Sequence, residues 1–188
     1  MKKIVPPSEC HRILANGPLL IVVSRGSSGR DNIAAVAWST PIDTNPPRLA
    51  IIADSAHLTW QNLQETPECT LNIAGRANIR LASYAGSVSG REKDKLAETA
   101  ALTVAGSVLP LPILPECLAN IECRVLSMDA ETGFVLLEPV YALADEEAFF
   151  SGWKMERGIY PVQHLGGERF QHGGEVILQP PVRDWSAE

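Results

Sequence analysis

Apolar residues along this chain fall into short, β-branched blocks separated by turn-forming residues. The blocks LLIVVS (19–24), IAAVAW (33–38), LAIIAD (49–54), CTLNIA (69–74), IECRVLSM (121–128) and FVLLEPVYAL (134–143) predict strands. Gly26 and Gly29 turn the chain between the first two, and Pro41, Pro46 and Pro47 turn it again before the third. Six such strands with links of this kind predict an antiparallel barrel or sandwich.

Helical patterning is confined to TWQNLQET (59–66), ANIRLASYAG (77–86) and GREKDKLAETA (90–100), with Thr59 placed to cap the first. The prolines of VLPLPILPEC (108–117) are too close for a helix or a central strand, so this piece is expected to run extended over the surface or across an interface. LQPPVRDWSAE at the end reads as an exposed or partner-contacting tail. One domain over 1–188 is expected, with a core at about 15–172 and a tail at 173–188.

Charge narrows the functional classes. Acidic residues outnumber basic ones by 22 to 16, a net charge of -6, which argues against binding to nucleic acid or to an anionic membrane; any anion site must be local. With no apolar run of signal-peptide or membrane-span length, a cytoplasmic protein is expected. Cys10, Cys69, Cys117 and Cys123 show no C-x-x-C spacing and read as buried, reduced thiols, with no metal site. Cys10 does stand beside His11, but near a terminus expected to be floppy. The nucleophile-elbow, zinc-protease, dinucleotide and P-loop motifs are all missing, so a bound nucleotide would need a site built on β structure.

Two stretches have the composition for an anion. In DSAHLTWQNL (54–63), Ser55, His57 and Thr59 alternate into the start of a helix, where hydroxyls, an imidazole and free N–H groups converge on a phosphate, or where Ser55 and Thr59 simply cap the helix. In GSVSGREKDKL (86–96), Ser87, Ser89 and Arg91 alternate, Gly86 and Gly90 permit close backbone approach, and Lys95 follows one turn after Arg91. The same run also fits a solvated amphipathic helix.

The order of motifs N-x-A-A-x-A-W-S-T-P-x-D-x-N-P-P (32–47), HLTWQNL (57–63), SVSGREKDKL (87–96) and HLGGERF (164–170) resembles the flavin reductase-like family, its flavoredoxin branch in particular, from about Leu19 to Phe170. The resemblance implies a mainly β fold, an antiparallel Greek-key split barrel that binds FMN and forms a homodimer. It also implies an NAD(P)H-dependent oxidoreductase, with NADH or NADPH as transient donor and a free flavin, a ferric complex or a redox partner protein as acceptor. An electron carrier holding FMN tightly, and a split barrel that has lost its flavin, are the alternatives.

By that resemblance, Ser55, His57, Thr59 and Asn62 fall on the phosphate side of the FMN site, and Ser87, Ser89, Gly90, Arg91 and Lys95 on a second clamp for phosphate and ribityl chain. Family members often carry Arg where His57 stands, so flavin affinity is expected to fall as rising pH discharges the imidazole. Asn32 opens the first motif; Val36, Ala37, Trp38, Ser39 and Thr40 are expected to run beside the flavin ring, main-chain groups reading its edge and Thr40 adding a hydroxyl. The family often has Ser at the position of Ala37, so one polar contact to the ring is expected to be missing. Trp38 fits core or dimer interface better than a flavin stack. His164 would lie near the open face of the flavin as a catalytic residue that orients the nucleotide or acceptor.

Overall fold

The computed structural model describes residues 1–154, 157–173 and 175–185. In chain order the elements are β1 (Lys2–Ile4), α1 (Cys10–Leu14), β2 (Leu20–Arg25), β3 (Asp31–Val36), β4 (Ser39–Thr44), β5 (Pro47–Ile52), α2 (Leu58–Glu65), β6 (Glu68–Ile73), α3 (Ile79–Ser87), α4 (Lys95–Thr99), β7 (Val104–Ala105), β8 (Pro112–Ile113), β9 (Ala119–Asp129), β10 (Phe134–Asp145), β11 (Val162–Gly166), β12 (Arg169–His172) and β13 (Glu175–Leu178). The expected strands and helices are present with shifted ends. The additions are β1, β4, α1, the β7–β8 pair and the β11–β13 sheet.

The main sheet runs β3-β2-β6-β9-β10-β5-β4 with every neighbouring pair antiparallel, and β1 adds to β10. Strand β10 is long enough to hold β5 with residues 134–137 and β1 with residues 143–145 on one edge while β9 follows it along the other. Pro139 sits on β10 beside a register shift against β9, which is how a central strand tolerates a residue without an N–H.

Strand β2 reads as a continuous apolar run because both of its faces are covered. Leu20 and Val22 point into the barrel with Leu71, Ile73, Ile121, Val135 and Leu137, and α1 plugs that core with Cys10, Ile13 and Leu14. Leu19, Ile21 and Val23 point the other way, under α3 (Ile79, Ala82, Ala85) and the β11–β12 hairpin (Val162, Phe170). Backbone bonds from Leu19 N–H to Val162 O (2.7 Å) and from Val162 N–H to Ala74 O (2.9 Å) seat that hairpin on the barrel.

Several expectations are corrected. The N-terminal segment is ordered: Cys10 is fully buried, its thiol is pushed up to about 12 by burial, and the His11 ring faces Ser8 O instead. The remaining cysteines are buried free thiols as well. The stretch 90–100 is helical only from Lys95, because Ser89 O takes the N–H of Glu92 and Lys93 in a turn and the Asp94 carboxylate caps a new start on Ala97 N–H. The proline-rich 108–117 segment lies partly inside rather than over the surface. Leu109, Leu111, Ile113 and Leu114 are buried, and the buried Glu122 carboxylate accepts from the N–H of Ser107, Val108 and Leu109 at 2.6, 2.9 and 2.6 Å. Residues 174 and 186–188 of the expected tail lie outside the described residues. No helix among the described residues is long and apolar enough to cross a membrane.

Candidate active site

Strand β3 ends the main sheet, so one of its edges pairs with β2 while the other has no strand beside it among the described residues. Main-chain groups on such an edge need partners from elsewhere. A cleft of about 760 Å3 lies along β3 residues Ala34 to Val36 and continues past Ala37 and Trp38. Its other walls are the end of β5 with Asp54, the small-residue face of α3 (Ala82, Ser83, Gly86, Ser87) and the β11–β12 turn (His164 to Gly167, Phe170). Gly86 lets α3 lie close on the sheet, since a Cβ there would stand 3.2 Å from the Ala35 Cβ.

Past His57, Thr59, Gly86 and Ser87 the cleft leads into a second cavity of about 260 Å3, also lined by Asn32, Leu58, Ser89, Gly90, Arg91 and Lys95. This end is cationic. The start of α2 opens on it, where the first N–H groups of a helix have no partner within the helix. Lys95 is 5% exposed, its ammonium donates to Ala85 O at 2.8 Å near the C-terminus of α3, and burial brings its pKa down to about 8. Arg91 crosses from the opposite loop to donate to Ala56 O at 2.8 Å, and Arg30 bonds Gly90 O. Asp54 shapes the turn before α2 by accepting the N–H of Ala56 at 2.8 Å.

Gly90 is required here by contact rather than by backbone angle. A Cβ on it would lie 2.0 Å from Asn32 Oδ1 and 3.0 Å from Leu58 Cδ2. Asn32 in turn donates to the Thr59 hydroxyl at 3.3 Å, joining β3 to the first turn of α2 beneath the loop.

The fold therefore brings Asn32, Val36, Ala37, Trp38, His57, Thr59, Ser87, Ser89, Gly90, Arg91, Lys95 and His164 around one continuous cleft. Four expected residues stand apart from its lining. Asn62 faces the barrel and spends its amide on Ser24 Oγ at 3.1 Å. Ser55 is exposed on the turn before α2. Thr40 is exposed on β4, its hydroxyl on Pro41 O at 3.2 Å, and the Ser39 hydroxyl is sealed from solvent with no partner among the described residues. The carbonyl of Trp38 is likewise spent, on Ile52 N–H at 3.0 Å.

Three local readings change with the geometry. Thr59 lies inside the first turn of α2, buried, while His57 holds the capping position with extended backbone and no side-chain cap bond. Trp38 is 71% exposed at the cleft, so it is not core of this chain. The His164 Nε2 stands 3.0 Å from Gly167 O, an atom that only accepts, so Nε2 carries the proton and the ring braces its own turn against Phe170. Asp54, Ser83 and Pro181 line the cleft without having been expected there. The small residues at 82, 83, 86 and 87, one stripe of a helix, were the available signal for Ser83.

A split barrel with a cleft running along one open edge, apolar at one end and cationic at the other, is the class that this fold and site define. The description "Flavin reductase like domain" matches residues 13–156, and the chain belongs to that family. It is 34% identical over 186 residues to the uncharacterized protein YddH of Escherichia coli K12, covering 94% of this chain and 98% of that protein. Among solved structures it is similar to an FMN-binding domain of a flavin reductases-like enzyme from Shewanella baltica, with TM-score 0.87, 22% identity, and 93% of this chain and 95% of that one covered. It is also similar to the flavoredoxin of Desulfovibrio vulgaris (Miyazaki F), with TM-score 0.72, 26% identity, and 91% and 92% covered.

Proposed function

We propose that the chain holds FMN in this cleft and acts as an FMN-dependent oxidoreductase, oxidising NADH or NADPH and passing the electrons to a free flavin, a ferric complex or a redox protein. The observation that carries the reading is the join between the two cavities: a wide part beside the open edge of β3, and a narrow cationic part at the start of α2. A planar heteroaromatic ring suits the first, and a phosphate monoester suits the second.

The residues present fit the cofactor. A buried ammonium has three donors and Ala85 O takes one, so Lys95 has donors left for phosphate oxygens. His57, Arg91 and the α2 N–H groups face the same anion. Beside the ring, the outer edge of β3 offers main-chain donors and acceptors, and Ala34, Ala35 and Ala37 keep that wall low. FMN, when bound, supplies the two-electron chemistry; the chain supplies binding, orientation and exclusion of water. His164 shapes the wall facing the ring and is given no proton-transfer step, in keeping with its bond to Gly167 O.

Support for a homodimer comes from Trp38 and Ile42, 71% and 49% exposed around the β3–β4 corner, apolar surface that a second copy would cover. Sedimentation of the purified protein tests it, a single monomer-sized species being the contrary result.

The test of the activity is an absorption spectrum of the protein loaded with FMN, followed anaerobically after NADH and then NADPH. Rapid bleaching by one nucleotide supports the reductase and names its donor. Bands that persist under both leave FMN binding in place and turn the reading to an electron carrier. A protein that takes up no FMN refutes it altogether.

A further inference from the structure

The segment after β13 crosses the molecule from one wall of the cleft to the other. At its start, Gln179 N–H donates to Glu168 O at 2.6 Å, at the turn that carries His164 to Gly167. It then meets α3. The Ser83 hydroxyl donates to Pro180 O at 3.3 Å and accepts from Val182 N–H at 3.2 Å, so that one side chain uses both of its capacities on the tail. Pro181, between these two bonds, lines the cleft.

Trp185 anchors the far end. Its ring lies 4.4 Å under the Arg80 guanidinium and 5.7 Å edge-on from Tyr84, and its carbonyl accepts from Arg80 Nη2 at 2.7 Å. Tyr84 is itself fully buried and bonded to Glu98, so the surface that receives Trp185 is fixed. Residues 179–185 belong to no strand or helix, and a segment held by a handful of side-chain bonds opens far more often than the core.

We propose that residues 179–185 are a strap across the cleft that ties the β11–β12 turn to α3 and governs how long a flavin stays bound, with Trp185 as the positioning residue that keeps Pro181 against the cleft. The proposal rests on the reading that the cleft takes FMN. When the strap is docked, the turn and the helix cannot part; when Trp185 lifts, Pro181 leaves the lining and that side of the cleft opens.

Full-length Trp185→Ala and Trp185→Phe proteins, loaded with FMN, test it by the rate of FMN release, read from the recovery of flavin fluorescence. Trp185→Ala is expected to release FMN about tenfold faster, the combined weight of one cation–π and one edge-on aromatic contact, and Trp185→Phe to stay within about threefold of wild type. The melting temperature without FMN should fall by no more than about 4 °C, the shift that the same tenfold loss of docking produces in a chain of this length, whereas a structural prop would cost more. Hydrogen exchange at the Val182 amide should slow on adding FMN to wild type and not in Trp185→Ala. Release at the wild-type rate from Trp185→Ala, or Val182 exchange indifferent to FMN, overturns the strap while leaving flavin binding intact. A wild type that takes up no FMN overturns the proposed function, and the strap with it.

Discussion

Lys95 makes the strongest quantitative demand on the proposed site. Its ammonium is buried beside the narrow cavity, and desolvation lowers its pKa from the ordinary 10.5 to about 8. A phosphate dianion in that cavity would stabilise the charged form and return the pKa toward its ordinary value. The sign follows from linkage: the free protein loses the proton above about pH 8, the complex keeps it, and binding above that pH has to recover it from solution. The contribution of Lys95 to affinity is therefore flat below pH 7.5 and falls up to tenfold per pH unit above 8. If the complex titrates at 10.5, the FMN dissociation constant at pH 9.5 is about 30-fold weaker than at pH 7. Fluorescence titration of FMN across this range measures it, with Lys95→Met as a variant expected to bind weakly at every pH and show no slope. Riboflavin, which lacks the phosphate, should also show no slope. A wild-type constant that moves less than about threefold between pH 7 and 9.5, or a riboflavin slope equal to that of FMN, would refute the assignment of Lys95 to the phosphate.

Other consequences follow from packing and burial. Gly90→Ala places a Cβ 2.0 Å from Asn32 Oδ1 and must push Asn32 off Thr59, so the FMN dissociation constant should rise by about tenfold or more; an unchanged constant by titration contradicts the contact. Asn62→Ala removes the bond to Ser24 away from the cleft and should cost about 1–2 kcal/mol in urea unfolding while FMN affinity stays within about threefold; a large loss of affinity at unchanged stability would return Asn62 to the site. Burial holds Cys10, Cys69 and Cys117 up at about 12 and raises Cys123 well above its ordinary value too, so the unfolded chain releases these protons first and folding stability declines as pH rises above 9. Lys2 and Lys95, both lowered to about 8, act in the opposite sense up to 10.5, but four thiols outweigh two ammoniums. The urea midpoint of the free protein should fall between pH 9 and 10.5, and a rise would show the lysines to dominate.

Elements whose sequence carries one dominant force were legible in advance. The β-branched blocks became β2, β3, β5, β6, β9 and β10 because apolar burial favours them at whatever ends the turns allow. The β4 strand, STPIDT, has no such signal: it forms because β5 offers it a ladder, and most of its positions stay exposed. The helix expected from Gly90 begins at Lys95 because the Asp94 carboxylate caps there, a competition between local hydrogen bonds that periodicity does not weigh.

At the site, the order of the motifs, more than the composition of any one of them, marked out the cationic loop, the start of α2 and the β3 edge, since each run alone also fits a helix cap or a solvated helix. The direction of each side chain was not legible. Asn62 and Thr59 stand three apart on one short helix, yet Thr59 turns to the cavity and Asn62 to Ser24. Lys95 reads as a surface charge within REKDK and is buried only because α3 packs over it. Ser83 and Val182 meet across 99 positions, a pairing that only the path of the chain creates. The sequence by itself determined which segments are strands and that the thiols are structural, and it singled out the stretches from which the proposed anion site is built. Tertiary structure decided which polar groups face that site, because burial and hydrogen-bond partners are properties of packed neighbours and not of the order of residues along the chain.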